Sequence, residues 1–526
     1  MLYLESWECG KKSFYQVIAS VSVLLLTACS NVATDKERPK GIEAFQSLKV
    51  AEYALNSSSV RESLEHLVYV DKDSSRADEY LRKYYREKKP LVWISRQGLS
   101  PQADVLIRFL KTAVPDIGFT EDSFHLQEIE DDLRTFRQLD VTSQHPISEA
   151  AAHVEYFLTK AFLRYVIGQR YGFVNPSLLL NHLSPSATDS LGNPKGFQSL
   201  FDIHMEHPAR DFACLALKYV VDGQMEQFLQ DVAPTDTLYL RLKGLLEGTT
   251  GEARTKLLVN MERRRWRISE RPRSKYILVN IAAYHLWAVS PDTVVDMRIG
   301  CGAQKTKTPL LTSAITHMEL NPEWVIPMSI VKNDVARHGG DSSYFIRHNY
   351  YIAERSTGNR LQPQEVTSNM LLSGKLKVVQ PGGSGNALGR IIFRFANKYS
   401  VFLHHTSSPS FFEHSNRSVS HGCVRVQNPF GLAQFLLSNA DEWELEKIRL
   451  AMGLQPQTIK GMQYKDTHEE EELKKLIKWV KIEPSVPLFI TYYTIYPDPV
   501  TGCLSYFPDV YGYDRSIARA IKPFMQ

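Results

Sequence analysis

Apolar residues recur at helical spacing through the first half of the chain. Ser59 begins a capping box ahead of one such stretch, and Ser148 precedes a longer one with apolar side chains along one side. Charged residues interrupt the longer stretch, so the pattern does not indicate a membrane span. Further helices are predicted over residues 212–229 and 237–246. The pattern therefore predicts a mostly helical region over residues 51–260.

Near Lys275 the pattern changes to short apolar runs of strand length. These runs are rich in β-branched and aromatic residues, which are typical of strands. The strands predicted from them cover residues 276–281, 284–289, 390–395 and 400–404. A β-rich domain is therefore expected over residues 275–455, and the whole chain is expected to be of the α+β class.

The region after residue 455 combines one predicted helix with one predicted strand. Residues 467–480 are highly charged and predict a solvated helix. Residues 486–494 are mostly apolar and predict a buried strand that returns to the same sheet. We therefore expect residues 456–526 to pack on the β-rich domain.

The composition is that of a folded protein with several domains. The 526 residues are 43% apolar, and 62 basic against 58 acidic residues give a net charge of +4. This small surplus argues against a nucleic-acid partner, which usually requires a concentrated basic surface. Six cysteines without any CxxC pair exclude a disulfide scaffold and a zinc ribbon.

The N-terminus has the pattern of a secretory signal. Lys11 and Lys12 precede an apolar run over residues 17–28 that is too short to span a bilayer comfortably. The run ends in Leu-Thr-Ala-Cys, which resembles a bacterial lipobox and implies lipid attachment to Cys29. An ordinary signal peptide with a chance cysteine is the alternative. Ser30, by the same resemblance, favours sorting to the outer membrane.

These features predict where the protein is found. We expect a protein on the periplasmic side of the cell envelope, held to a membrane by its lipid anchor. The segments expected are a signal peptide over residues 1–28 and a polar tether over residues 29–50.

The densest group of reactive side chains lies late in the β-rich region. Its members are His404, His405, His414, His421 and Cys423. Cysteine is a nucleophile as the thiolate, and a nearby base or cation lowers its pKa. His404 ends a predicted strand 423 − 404 = 19 residues before Cys423, so strand, loop and return can bring the two together. We therefore expect Cys423 to be a thiolate at neutral pH.

This group resembles the catalytic signature of the YkuD-type L,D-transpeptidases. The signature is a histidine after an apolar strand, followed by Ser-His-Gly-Cys-Val-Arg-Val at residues 420–426. Further stretches resemble the large subfamily that carries a helical scaffold domain. They are residues 91–99, 158–176, 278–289, 321–324, 386–390, 397–400 and 509–514.

The resemblance implies a role for each residue of the signature. Cys423 is the expected nucleophile, and His404 is the expected general base. The backbone carbonyl of His405 is expected to orient His404, although histidine departs from the residue types usual there. His421 and Gly422 are expected to shape the oxyanion region.

Three further expectations follow from the same resemblance. Arg425 is expected to anchor either the turn or a substrate carboxylate. Residues 326–380 correspond to a mobile capping loop inserted in the catalytic domain. No convincing version of the subfamily's peptidoglycan-binding module is found between residues 186 and 255.

The reaction implied is acyl transfer between peptidoglycan stem peptides. The thiol attacks a tetrapeptide stem and releases the terminal D-Ala, and an amine of a second stem then takes the acyl group in a 3→3 cross-link. The expected partners are the donor stem and the acceptor amine. No cofactor and no metal are needed, and acylation by carbapenems is also implied.

Several other functions remain compatible with these residues. His404, His405, His421 and Cys423 could instead bind zinc, although their spacing is not a standard one. The same Cys423–His404 pair could act as an L,D-carboxypeptidase or cross-link hydrolase, with water as the acceptor. A lipid-anchored protein that binds the wall without catalysis is the third alternative.

Overall fold

The structure is a computed structural model. It describes residues 55, 57–95, 98–138, 140–141, 146–188, 194–267 and 274–525. The expected signal peptide, Cys29 and the expected tether lie outside the described residues. Among the described helices, none combines the length and apolar composition needed to cross a bilayer.

The N-terminal region is helical, as the periodicity predicts. Its helices are α1 (Ser57–Val70), α2 (Arg76–Arg86), α3 (Gln102–Asp116), α4 (Leu126–Gln138), α5 (Ile147–Tyr171), α6 (Pro176–Asn181), α7 (Phe212–Val221), α8 (Met225–Asp231), α9 (Thr237–Gly244) and α10 (Gly251–Arg265). Its short strands are β1 (Ile94–Ser95), β2 (Gly98–Leu99), β3 (Pro185–Thr188), β4 (Pro194–Phe197) and β5 (Phe201–Asp202). Helix covers most of residues 212–229, as predicted, but it is divided into α7 and α8 at Gly223, which has φ +72°.

The long helix α5 is buried on nearly all sides, and its charged residues are paired. Lys160 contacts Asp71 at 2.9 Å, and Arg164 contacts Asp78 at 2.9 Å. The carboxylate of Glu155 accepts hydrogen bonds from backbone N–H groups at residues 92–94. Buried charges require such partners, so these groups explain how a charged helix lies at the centre of the scaffold.

The second half of the chain forms a sheet that closes on itself. Its strands are β6 (Tyr276–Asn280), β7 (His285–Val289), β8 (Val294–Gly302), β9 (Leu310–Leu320), β14 (Ile391–Phe395), β15 (Leu403–His404), β16 (Ser418–Ser420), β17 (Val424–Val426) and β18 (Trp479–Thr491). The strand order is β14-β15-β17-β8-β7-β6-β18-β9, and β9 also pairs with β14. The scaffold strand β5 joins the sheet in parallel beside β9, and β16 joins beside β8.

Most strand predictions are confirmed, with shifted ends. β6 and β7 form the predicted antiparallel hairpin. The strand predicted over 400–404 is shorter, since β15 covers Leu403–His404. β18 returns between β6 and β9, as predicted, but it begins earlier than expected.

The region before β18 differs from the prediction. The helix predicted over 467–480 is wrong, because one short helix ends at Leu473 and β18 begins at Trp479. The charged residues of this segment lie in that short helix and in the residues that flank it, before β18 begins, so they do not mark one continuous helix. The helices in this part are α14 (Pro429–Leu436), α15 (Glu442–Ala451), α16 (Ile459–Thr467) and α17 (Glu470–Leu473). They are followed, after β18, by β19 (Ile495–Pro497), β20 (Leu504–Tyr506) and α18 (Tyr513–Met525).

The expected capping loop is a folded subdomain with its own core. Its elements are β10 (Trp324–Val325), α11 (Met328–Asn333), α12 (Ser342–Arg347), β11 (Tyr351–Glu354), β12 (Arg360–Leu361), α13 (Ser368–Leu372) and β13 (Leu376–Gln380). The four strands form one antiparallel sheet, in the order β10-β13-β11-β12. Its buried apolar cluster is separate from the cluster that runs through the scaffold, the main sheet and α18. We call residues 324–380 the cap.

Candidate functional site

His404 and Cys423 lie on the same face of one parallel pair of strands. β15 and β17 run side by side, with Leu403 opposite Val424 and His404 opposite Arg425. Side chains alternate between the two faces of a strand, so the residues on either side of Val424 share the face of His404. Leu403 and Val424 point the other way and are fully buried. Cys423 and His404 are therefore diagonal neighbours on one face.

A serine side chain closes the turn that presents Cys423; we call residues 420–423 the cysteine turn. The Ser420 hydroxyl donates to the Cys423 carbonyl at 2.6 Å and accepts from the Gly422 N–H at 3.1 Å. Gly422 has φ +118°, a conformation that favours glycine. The sequence places Gly422 in the oxyanion region, but in this conformation its N–H is already engaged by Ser420.

The environment of the Cys423 thiol favours the protonated form. Burial raises its pKa above the ordinary value, while the backbone N–H of Phe402 and the guanidinium groups of Arg394 and Arg425 act in the opposite direction. The residue is still partly exposed. The expectation of a thiolate at neutral pH is therefore wrong, because desolvation outweighs the two nearby cations.

The imidazole of His404 is held in one orientation and is neutral. Its Nδ1 lies 2.5 Å from the carbonyl oxygen of His405, so Nδ1–H donates and Nε2 carries the free lone pair. Burial and the charge of Arg425 lower its pKa to about 4, against the opposing effect of backbone groups at His405 and Leu388. A neutral imidazole beside a neutral thiol is therefore the resting state at neutral pH.

The thiol and the imidazole are not joined by a hydrogen bond in this conformation. Among the residues that the structure describes, the thiol donates to the Ser400 carbonyl, with Sγ and O 3.9 Å apart, and the backbone N–H of Phe402 also acts on the sulfur. Proton transfer to His404 thus requires the sulfur to leave Ser400 and turn toward the imidazole. The ladder places the two groups on one face, but no hydrogen bond joins them in this conformation.

The side chain of His405 packs on the backbone at Gly389 and Arg390. Its Nδ1 accepts from the Arg390 N–H at 3.2 Å, and its ring packs on Gly389. A Cβ added at Gly389 would lie 2.6 Å from the Cβ of His405. His405 therefore supplies its carbonyl to His404 while its imidazole fills a site that only glycine leaves open.

The remaining histidines of the cluster differ from His404 in their exposure. His421 and His414 are both exposed, and His414 lies at the end of a short 3-10 helix. The zinc alternative is not supported, since no group of three or more potential ligands is gathered anywhere in the described part of the chain.

Arg425 lies on the face of His404 and Cys423, and no carboxylate among the described residues acts on its charge. Its guanidinium packs over the Phe411 ring at 5.4 Å, and its buried Nε has no hydrogen-bond acceptor. Burial lowers its pKa, which the Cys423 thiol partly offsets. The site therefore contains a cation whose hydrogen-bonding capacity is left open toward a ligand.

The segment that leaves the cap passes beside His404. Asn386 is fully buried, and its Nδ2 donates to the Pro381 carbonyl at 2.8 Å and to that of Pro322 at 3.2 Å. Its Oδ1 accepts from the Leu388 N–H at 2.8 Å, and Leu388 in turn acts on the imidazole of His404. Asn386 thus links the segments that enter and leave the cap to the backbone beside His404.

Sequence reasoning misses several residues that hold the cysteine turn. Thr308 donates to the Gly422 carbonyl at 2.8 Å, and Tyr511 accepts from the Thr308 N–H at 3.1 Å. Ser420 is recognised in the motif, but its bridging role is not. The resemblance at residues 509–514 marks the tail that contains Tyr511, yet nothing in the sequence shows that this tail reaches the site.

Comparisons with known proteins match both halves of the chain. Residues 274–458 match the model of the YkuD L,D-transpeptidase catalytic domain, and residues 79–246 match that of the scaffold domain. A curated protein of Haemophilus influenzae (strain Rd), named "Putative L,D-transpeptidase", is 25% identical over 317 residues, which cover 59% of this chain and 60% of that protein. The chain thus spans 60% of the length of this relative.

A solved L,D-transpeptidase from Mycobacterium smegmatis is also similar, at 14% identity and a TM-score of 0.18 over 31% of this chain and 54% of that chain. The two domain matches, with the scaffold domain before the catalytic domain, identify the family of this chain. The chain belongs to the L,D-transpeptidase family, among the members that join a scaffold domain to a YkuD catalytic domain.

Proposed function

We propose that the protein is a cysteine-dependent peptidoglycan L,D-transpeptidase that forms 3→3 cross-links. Cys423 is the nucleophile, and His404 accepts and returns the proton. The observation that carries the proposal is the shared face of the β15–β17 ladder, where a partly exposed thiol lies diagonal to an imidazole whose Nδ1–H is donated to the His405 carbonyl, which leaves the lone pair on Nε2. Nucleophilic catalysis by cysteine requires this pairing of thiol and oriented base.

The first half-reaction is acylation of the thiol. The sulfur of Cys423 attacks the carbonyl between the third residue of the stem, a diamino acid, and the terminal D-Ala, while its proton passes to Nε2 of His404. The C–N bond then breaks, the imidazolium gives the proton to the leaving amine, and D-Ala departs. Since the pKa of His404 is lowered to about 4, its protonated form is a ready donor to the amine.

The second half-reaction transfers the acyl group to an amine. The side-chain amine of a second stem attacks the thioester, loses a proton to His404, and displaces the thiol of Cys423. One peptide bond replaces another, so neither ATP nor a cofactor is consumed.

Arg425 is proposed to hold a carboxylate of the donor stem. Its guanidinium lies on the reacting face, and its buried Nε has no acceptor. Guanidinium binds carboxylate in a two-point geometry, which would fix the orientation of the stem. The alternative expectation, that Arg425 anchors the turn itself, has less support because its described contact is with the Phe411 ring.

The cap is proposed to exclude water during transfer. It is a folded unit whose exit segment contacts the backbone beside His404 through Asn386. Exclusion of water favours the amine over hydrolysis of the thioester. The envelope location and lipid attachment at Cys29 remain part of this proposal, since both belong to residues outside the described part.

Muropeptide analysis tests the proposal against its alternatives. Purified protein is incubated with disaccharide-tetrapeptide, and the products are resolved by liquid chromatography and mass spectrometry. We expect cross-linked dimers that have lost one D-Ala, and none with Cys423→Ala. The Cys503→Ala variant, which alters an exposed cysteine far along the chain, is the matched control and should retain activity.

Each alternative gives a different product pattern. Tripeptide without dimers would show an L,D-carboxypeptidase, and shortened dimers would show a cross-link hydrolase. Unchanged muropeptides, with binding to sacculi retained by Cys423→Ala, would show a wall-binding protein without catalysis. Any of these outcomes would overturn the transpeptidase proposal.

A further inference from the structure

The C-terminal tail reaches the catalytic sheet through one buried tyrosine. Tyr511 is 4% exposed, and its hydroxyl donates to the Gly302 carbonyl at 2.6 Å while accepting from the Thr308 N–H at 3.1 Å. The N–H of Tyr511 donates to the Tyr492 hydroxyl at 2.8 Å, which fixes the tail beside the end of β18. Tyr511 is therefore anchored on one side and bound to the 302–308 segment on the other.

Thr308 extends this connection to the cysteine turn. Its hydroxyl is fully buried, accepts from the Gly302 N–H at 2.9 Å and donates to the Gly422 carbonyl at 2.8 Å. Each of the two hydroxyls donates one hydrogen bond and accepts another, so the hydrogens are consistently assigned. An unbroken chain of hydrogen bonds thus runs from Tyr511 through Thr308 to the residue before the thiol.

The 302–308 segment also holds the other end of the turn. The Thr306 hydroxyl and the Ala303 N–H both donate to the Ser420 carbonyl, at 2.8 and 2.9 Å. A Cβ added at Gly302 would lie 2.1 Å from the Thr306 carbonyl oxygen, so the segment is tightly folded. Both Ser420 and Gly422 are therefore fixed by one rigid segment.

We propose that Tyr511 and Thr308 are positioning residues for acylation of Cys423, so that the tail completes the active site. Tyr511 lies outside residues 274–458, the part of the chain that matches the catalytic-domain model. The inference rests on the proposed function, since it assigns Cys423 as the acylated residue. It adds that the chain after residue 458 is required for the chemistry as well as for packing.

Removal of either hydroxyl should affect acylation more than simple thiol reactivity. Without the Thr308 hydroxyl, the Gly302 N–H and the Gly422 carbonyl lose their partner, and the backbone around the thiol shifts. Acylation needs the attacked carbonyl and its oxyanion in a fixed place, and a displacement of about 1 Å can cost roughly 100-fold in rate. Alkylation by iodoacetamide forms no oxyanion and needs only the thiolate of an accessible cysteine.

The experiment compares four variants of the full chain with the wild type. Thr308→Val removes the hydroxyl at nearly constant shape, Thr308→Ser retains it, and Tyr511→Phe removes the other hydroxyl. Tyr493→Phe is the matched control, because Tyr493 is as buried a residue as Tyr511 in the same region, but its hydroxyl accepts from Arg264 at 3.3 Å and contacts neither Thr308 nor the cysteine turn. Acylation by meropenem is followed by intact-protein mass spectrometry, alkylation by iodoacetamide in parallel, and folding by thermal melting.

We expect meropenem acylation to fall at least tenfold in Thr308→Val and in Tyr511→Phe. Thr308→Ser and Tyr493→Phe should stay within about threefold of the wild type, and iodoacetamide rates should change little in all four variants. Rescue by serine separates a positioning role from a merely structural one.

Three results would overturn the inference. The first is a wild-type rate of meropenem acylation in both Thr308→Val and Tyr511→Phe. The second is an equal loss of acylation rate in Thr308→Val and Thr308→Ser. The third is a loss of acylation rate in Tyr511→Phe that Tyr493→Phe shows as well. A meropenem adduct that persists in Cys423→Ala would instead refute the proposed function.

Discussion

The thiol of Cys423 and the imidazole of His404 share one face of the β15–β17 ladder, but the thiol hydrogen-bonds to Ser400. Both groups are neutral at pH 7, because burial raises the pKa of the thiol and lowers that of the imidazole. Under the proposed function, the thiolate is therefore formed at the moment of attack rather than stored in an ion pair. This arrangement protects the thiol from reagents that do not enter the site.

The protonated thiol predicts a steep pH dependence of alkylation. Because the pKa of Cys423 is raised, the reactive thiolate fraction should grow about tenfold per pH unit from pH 6 to 8.5. The rate of iodoacetamide addition is measured in a Cys503→Ala background, and the modified site is mapped by peptide mass spectrometry. A plateau near pH 7 would contradict the neutral pair.

The lowered pKa of His404 predicts a loss of stability in acid. The unfolded chain binds a proton near pH 6.5 and the folded chain only near pH 4, so stability falls as the pH drops through this interval. The loss in free energy of unfolding that is due to His404 should reach about 3 kcal/mol at pH 4, at 1.36 kcal/mol per pKa unit. The free energies of unfolding of the wild type and of His404→Gln, measured in urea, should approach each other by this amount between pH 7 and 4. A constant difference would show that His404 is not buried as a neutral group.

The contact between Gly389 and His405 separates a backbone role from a side-chain role. His405→Ala keeps the carbonyl that orients His404, so acylation should stay within about threefold of the wild type. Gly389→Ala places a Cβ against the His405 ring at a φ of +66°, which should displace that carbonyl and slow acylation at least tenfold. Burst acylation by meropenem measures both rates. The reverse order of effects would assign the role to the imidazole of His405.

The open guanidinium of Arg425 predicts a defect specific to substrate. Arg425→Lys keeps a positive charge but loses the two-point geometry, so KM for a tetrapeptide stem should rise roughly tenfold. Iodoacetamide alkylation of Cys423 should change less than twofold. An unchanged KM together with a lowered melting temperature would show that Arg425 only packs against Phe411.

Local patterns predict the classes of the elements but not how the sheet closes. The β6–β7 hairpin and the helix α5 follow from periodicity within a few residues. The pairing of β9 with β14 joins residues far apart in the chain, and no local signal specifies it. The cap is expected as a loop because its strands have two to five residues, too short for a clear alternation.

For the site, too, the sequence predicts the residues but not their environment. The motif identifies Cys423 and His404 as candidates, and the ladder places them on one face. Charge states could not be predicted from the histidine-rich sequence, because they depend on burial that only the fold determines. Tyr511 could not be assigned either, since its contact with Thr308 spans 203 positions of the chain.

Intact-protein mass spectrometry with meropenem tests the central assignment most directly. The wild type, Cys423→Ala and His404→Gln are each incubated with the carbapenem at pH 7, and the mass is followed with time. We predict one covalent adduct on the wild type, none on Cys423→Ala, and a strongly slowed adduct on His404→Gln. An adduct of equal mass and rate on Cys423→Ala would contradict the assignment of Cys423 as the nucleophile.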